Sequence, residues 1–188
     1  MRERAGDSSA HVRPRWSKEV SMAGMYTRCM SRVIVIYDSE TGNTEKMATA
    51  VADGVRKVKD IEVILKKVGE VTHEDLLSSH GIIIGSPTYY GLMSGKLKSF
   101  IDTTAKIHGK LRGKVGGAFT SSGGTASGAE TTLLSILHAM LVHGMIVVGR
   151  DDNKHYGAAA TGTPKGKDIQ MCAELGKRIA ELTKKLHG

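Results

Sequence analysis

The chain has 188 residues and carries 27 Lys and Arg against 19 Asp and Glu, a formal net charge of +8. Hydrophobic residues make up 40% and charged residues 24%, a globular balance, and no run approaches the ~20 apolar residues of a membrane span. Cys29 and Cys172 cannot build a disulfide framework and no Cys/His spacing marks a zinc site, so a reduced, cytoplasmic setting is expected.

Residues 1–31 hold six basic and three acidic residues, and the remaining excess is spread along the chain. Short clusters such as Arg56-Lys57-Val58-Lys59 and Lys184-Lys185 fall near predicted helix ends, where cations complement the macrodipole. Diffuse charge of this kind points to a solvated surface before an anionic partner, and no nucleic-acid role is expected. Residues 1–30 show neither helical nor strand periodicity and no apolar signal-peptide core. They read as an N-terminal extension ahead of a domain spanning 31–188.

From Ser31 the pattern alternates. Arg32 to Tyr37 is a continuous, β-branched apolar run, as expected of a strand buried on both faces. Met47, Val51, Val55 and Val58 follow at helical spacing, and Ile61–Val68 reads as a second strand. Thr72 is placed to cap a short helix over Glu74–Leu77. Gly81–Gly85 is the third strand, and Leu97, Phe100 and Ile101 mark the next helix.

Lys114–Phe119 is expected as the fourth strand, opening into a loop from Thr120 to Gly128. Leu133, Leu134, Leu137 and Leu141 predict a helix, and Met145–Gly149 a fifth strand. A loop through Tyr156 and Pro164 precedes a last helix with the stripe Ile169, Cys172, Leu175, Ile179, Leu182 and Leu186. Strands alternating with helices predict an α/β fold, a doubly wound five-stranded parallel sheet covered on both faces. Ligands of such sheets bind beyond the carboxyl ends of the strands.

Three of those ends are unusual. Ser39-Glu40-Thr41-Gly42-Asn43-Thr44 combines hydroxyls, a glycine and a helix start. Gly42 permits a positive φ, and Thr44 is placed to cap the helix while first-turn N–H groups face outward, a site for a terminal phosphate. An ordinary βα turn with a threonine cap would need only one of these hydroxyls. Neither a P-loop nor a G-x-G-x-x-G fingerprint is present.

Pro87-Thr88-Tyr89-Tyr90-Gly91 sets two of the five tyrosines side by side, which suits a flat, π-rich ligand or a simple cover for the sheet end. Thr120 to Gly128 contains only Ser, Thr, Gly and Ala, so it is either a flexible surface loop or a backbone donor surface for a heterocycle.

Together these segments resemble a known family. Ser39–Thr44 looks like the flavodoxin phosphate loop. Gly85–Asp102, Ala118–Gly124, His143–Val148 and Tyr156–Ala158 are similar to segments of WrbA-type NAD(P)H:quinone oxidoreductases. The resemblance implies a flavodoxin-like sheet of order 2-1-3-4-5 and FMN as cofactor. It places the FMN phosphate on Ser39 to Thr44, with Glu40 lending its N–H and not its carboxylate. It sets the ribityl chain and flavin ring beside Thr88, Tyr89 and Tyr90, and the ring's polar edge on Ser121, Ser122, Gly123, Gly124 and Thr125.

The resemblance further implies NAD(P)H as co-substrate, a quinone-like or protein electron acceptor, and a homo-oligomer, dimer or tetramer. No catalytic side chain and no metal are expected. In the group's His-His-Gly-Met run the first histidine reaches the flavin; here Val142 holds that place and His143 remains, and Val68–Gly81 is short where the group has a long insertion. A flavodoxin-like carrier serving protein partners is the alternative, although such carriers are generally acidic. A phosphoacceptor receiver would need an acidic cluster that Asp38 alone does not provide.

Overall fold

The computed structural model describes residues 30–151 and 154–188. Met30 apart, the expected N-terminal extension lies outside the described residues, as does Cys29. In chain order the elements are β1 (Ser31–Tyr37), α1 (Asn43–Arg56), β2 (Ile61–Lys67), α2 (His73–Ser78), β3 (Gly81–Pro87), α3 (Gly95–Thr103), β4 (Val115–Ser122), α4 (Ala129–Val142), β5 (Ile146–Val147), β6 (Ala158–Thr161) and α5 (Gly166–His187). All strand pairs are parallel, in the order β2-β1-β3-β4-β5, with β6 also paired to β4.

The apolar run of β1 is explained by burial on both faces. Val33, Val35 and Tyr37 enter the core beneath α1 and α5, while Ile34 and Ile36 enter the core beneath α2, α3 and α4. α1 and α5 approach each other backbone to backbone. A Cβ on Gly54 would stand 1.9 Å from the Ala173 carbonyl oxygen, and one on Gly176 would stand 1.9 Å from that of Val51. Cys172 sits in this core as expected, and burial first, then the charge of Asp168, pushes its thiol up to about 12.

Several expectations are corrected. The fifth strand does not run from Met145 to Gly149: only Ile146–Val147 pairs, against Val115–Gly116, and β6 completes that sheet position against Phe119–Ser122. Gly157, expected in a loop, bridges the two pieces so closely that a Cβ there would lie 2.1 Å from the Ala118 carbonyl oxygen. β6 is read as loop from sequence because Ala158, Ala159 and Ala160 carry none of the β-branched signal of a strand.

β4 itself extends through Ser122, so Thr120, Ser121 and Ser122 are strand residues and the loop begins at Gly123. On α4 the buried face is Leu133, Ile136, Leu137 and Met140, whereas Leu141 is 56% exposed. Helix α2 is capped as expected, Thr72 Oγ1 accepting from the Asp75 N–H and the Asp75 carboxylate from the Thr72 N–H.

Candidate functional site

The loops after β1, β3 and β4 converge at the carboxyl ends of the strands, and their contacts cross between elements. Thr44 Oγ1 and Ser121 Oγ lie 2.8 Å apart and both residues are buried, which joins the first loop to β4. Thr88 N–H donates to the Ser121 carbonyl at 2.8 Å, and Thr88 Oγ1 lies 3.0 Å from Thr120 Oγ1. Thr120 Oγ1 in turn reaches the Ser86 carbonyl at 2.7 Å. This last bond escapes sequence reading, because nothing local at Thr120 marks a partner 34 residues away.

The first loop ends differently from the expectation. Thr44 does not cap α1. The cap is Gly42, left-handed at φ 82°, and Ser39 Oγ accepts the Gly42 N–H at 3.1 Å. Lys46 donates to the Gly42 carbonyl, so the N–H groups of Asn43, Thr44 and Glu45 have no intrahelical acceptor and point out of the helix end. With no side chain on Gly42 and open space around it, this turn accommodates an anion against bare backbone. Glu40 turns its exposed carboxylate to Lys96 of α3, whose hydrogen bond and charge hold that carboxyl below its usual range. Lys96 carries no signal in the sequence, since it lies 56 positions away.

The second loop is a tight turn in which Tyr89 and Leu92 exchange backbone hydrogen bonds at 3.0 and 2.9 Å. The turn drives Tyr90 to φ 50° and leaves its ring fully solvent-exposed, with Tyr89 44% exposed beside it. Pro87 and Thr88 are half-buried at the strand end. Gly91, at φ 76°, faces Gly128 so closely that a Cβ on Gly128 would stand 2.5 Å from the Gly91 Cα. This contact sets the spacing between the tyrosine turn and the start of α4.

At the end of β4 Ser121 and Ser122 are buried, Ser122 Oγ donating to the Gly124 carbonyl at 3.0 Å. Gly123, Gly124 and Thr125 lie in open positions, their N–H groups without a backbone acceptor among the described residues. His143 belongs to the other end of the molecule. It ends α4 at the amino end of the sheet, with Nε2 2.8 Å from Thr104 Oγ1, and burial together with nearby His108 lowers its pKa.

The arrangement fits FMN by its own chemistry. Outward N–H groups and buried hydroxyls suit a phosphate, an exposed aromatic turn suits a flat ring, and bare backbone donors suit a ring's polar edge.

The family described as NADPH-dependent FMN reductase matches residues 31–153. A protein named flavodoxin from Aquifex aeolicus is 43% identical over 160 residues, covering 81% of this chain and 86% of that one. A protein named NAD(P)H dehydrogenase (quinone) from Archaeoglobus fulgidus is 40% identical, covering 84% of this chain and all of its own length. Among solved structures, a WrbA-like flavodoxin from Agrobacterium tumefaciens superposes with a TM-score of 0.73 at 27% identity, covering 83% of this chain and 99% of that one. A family match across most of the domain, together with the strand order and the site geometry, establishes that the chain belongs to the NADPH-dependent FMN reductase family: an oxidoreductase of flavodoxin-like fold whose cofactor is FMN.

Proposed function

We propose that this chain passes electrons from NAD(P)H to a quinone-like acceptor through FMN held at the carboxyl ends of β1, β3 and β4. The observation that carries the reading is the convergence of outward α1 N–H groups with the Ser39, Thr44 and Ser121 hydroxyls, beside the solvent-facing ring of Tyr90. Relatives named NAD(P)H dehydrogenase (quinone) support the choice of donor and acceptor.

Bound there, FMN supplies acceptance of hydride from the nicotinamide and release of electrons to the acceptor. The chain supplies position. The N–H groups of Asn43, Thr44 and Glu45 and the hydroxyls of Ser39 and Thr44 hold the phosphate dianion without any lysine or arginine in the loop. Tyr89 and Tyr90 give the flat wall on which the ring packs. The N–H groups of Gly123, Gly124 and Thr125 donate to the ring's polar edge and favour the electron-rich form. No side chain of the site is needed as nucleophile or as a proton relay.

The protein purified as expressed is expected to be yellow, to bleach on anaerobic addition of NADH or NADPH, and to recover its colour on addition of benzoquinone. A colourless protein that takes up no added FMN would refute the reading. The relative named flavodoxin favours a second reading, a carrier between proteins. Bound FMN that neither nicotinamide nucleotide bleaches, but that dithionite does, would establish that reading instead.

A further inference from the structure

Charge that is diffuse along the sequence is gathered by the fold at one end. Lys57 and Lys59 follow α1, Lys110 and Arg112 precede β4, and Lys185 lies in the last turn of α5. All of them stand at the amino end of the sheet, opposite the proposed flavin loops. Each is exposed, and none makes an ion pair among the described residues. The carboxylates nearby are already answered. Asp53, Asp60, Glu62, Asp102 and Glu181 each pair with a different cation, at 2.6 to 3.6 Å.

The helix macrodipole accounts for Lys185, in a last turn, but not for Lys110 and Arg112, which lie in no helix. Their turn is firmly held. Gly109 and Gly113 take φ of 80° and 78°, Leu111 is buried between the two cations, and the Gly113 N–H donates to the Gly144 carbonyl at 3.0 Å. The α5 tail reaches the same turn, with His187 Nε2 3.3 Å from the Gly113 carbonyl, and Lys184 Nζ donates to the Lys59 carbonyl at 3.0 Å. The turn, the α5 tail and the end of α1 are thus one continuous surface.

Exposed aliphatic side chains are set into it. Leu186 adjoins Lys185, and Val142 ends α4 two residues before Gly144, which lies against the Arg112 side chain. No exposed tyrosine, phenylalanine or tryptophan accompanies them among the described residues: Tyr89 and Tyr90 follow β3, and Tyr156 precedes β6. Cations interleaved with aliphatic side chains match anionic phospholipid, whose head groups meet the cations while the acyl boundary takes up the leucine and valine. A nucleic acid would leave Leu186 and Val142 unanswered, and a second copy of this chain would set like charges against each other. We propose that the amino end of the sheet docks the protein on an anionic lipid surface, with the flavin loops directed away from it into water.

The test is co-sedimentation of the FMN-loaded full chain with vesicles of phosphatidylcholine alone and of phosphatidylcholine mixed equally with phosphatidylglycerol, which needs no turnover. Binding to the mixed vesicles alone, weakened by added salt, is expected. Lys110→Gln and Arg112→Gln should each lower the partition coefficient about fivefold, the worth of one cation at the surface. Leu186→Ser should lower it at unchanged charge, while circular dichroism and the FMN titration of all three variants stay as in the parent. Absence of binding to the mixed vesicles, or equal binding to both kinds, would overturn the proposal. So would binding that all three substitutions leave intact, which would place it on residues 1–29. Tighter binding to a DNA duplex at equal phosphate concentration, indifferent to Leu186→Ser, would give the surface to a nucleic acid and overturn it as well. None of these outcomes touches the flavin assignment.

Discussion

Ser39, Thr44 and Gly42 divide the work of one turn. Gly42 supplies the left-handed backbone, Ser39 ties that backbone down, and Thr44 uses its hydroxyl on Ser121 in place of capping its own helix. Replacing Thr44 by Ala removes a hydroxyl from the proposed phosphate site and unties the first loop from β4. Thr44→Ala is expected to cut FMN affinity by about 1.5–3 kcal/mol, the worth of a hydrogen bond to a charged group. Fluorescence titration of the apoprotein with FMN measures this, and an unchanged Kd would remove Thr44 from the site. The loop itself is legible in the sequence because hydroxyls, glycine and helix start fall within six consecutive positions. The Thr44–Ser121 contact is not legible, since it spans 77 positions and depends on which way a buried rotamer turns.

At the scale of elements, the packing of α1 on α5 depends on two missing side chains. Gly54 and Gly176 each lie against a carbonyl of the facing helix, so added atoms have backbone in their way and cannot be relieved by turning a side chain. Gly176→Ala is expected to destabilise the fold by about 1–3 kcal/mol despite the better helix propensity of alanine. Gly95→Ala, at the first turn of α3 with open space where its methyl would stand, should be neutral or raise stability by up to about 1 kcal/mol. Urea melts of the two variants compare them directly; equal stability would show that the helix contact yields. Elements with a strong local signal, β1 by its continuous apolar run and α1 by its helical spacing, read cleanly from the sequence. β6 does not, because a small-residue strand is held in place by its neighbour's ladder and not by its own side chains.

For the molecule as a whole, the two ends of the sheet have separate duties. The carboxyl end holds the loops; the amino end is closed by the tail of α5 and by the turn before β3. There His80 Nδ1 accepts the Arg32 N–H at 3.1 Å, and its ring lies 5.3 Å from that of His187. Burial first, then the charges of His187, Lys114 and Arg32, lower the His80 pKa. Its folded value lies below its unfolded value, so the neutral ring is the form the fold prefers. Stability is therefore full above the unfolded pKa of about 6.5 and declines as the pH falls from there toward the lowered value. His80→Asn, which keeps an acceptor near Nδ1, should flatten the dependence of Tm on pH between about 7 and 5. Thermal melts across that range decide it; an undiminished slope in the variant would place the titration elsewhere, with His143 the next group to examine.

The divided strand position beside β4 has a consequence for how the protein keeps to itself in a crowded solution. An uninterrupted edge strand presents a ladder of unpaired donors and acceptors on which a second chain can lay its own strand. Here that edge is two residues of β5 and four of β6, with the chain leaving the sheet between them and Gly157 pressed over the Ala118 carbonyl. The other edge, β2, is seven residues long but places Glu62, Lys66 and Lys67 along it. One border of the sheet is too broken to serve as a template for fibrous growth and the other is charged, so the same excursion that hides the strand character of β6 also guards the sheet against sticking to its copies.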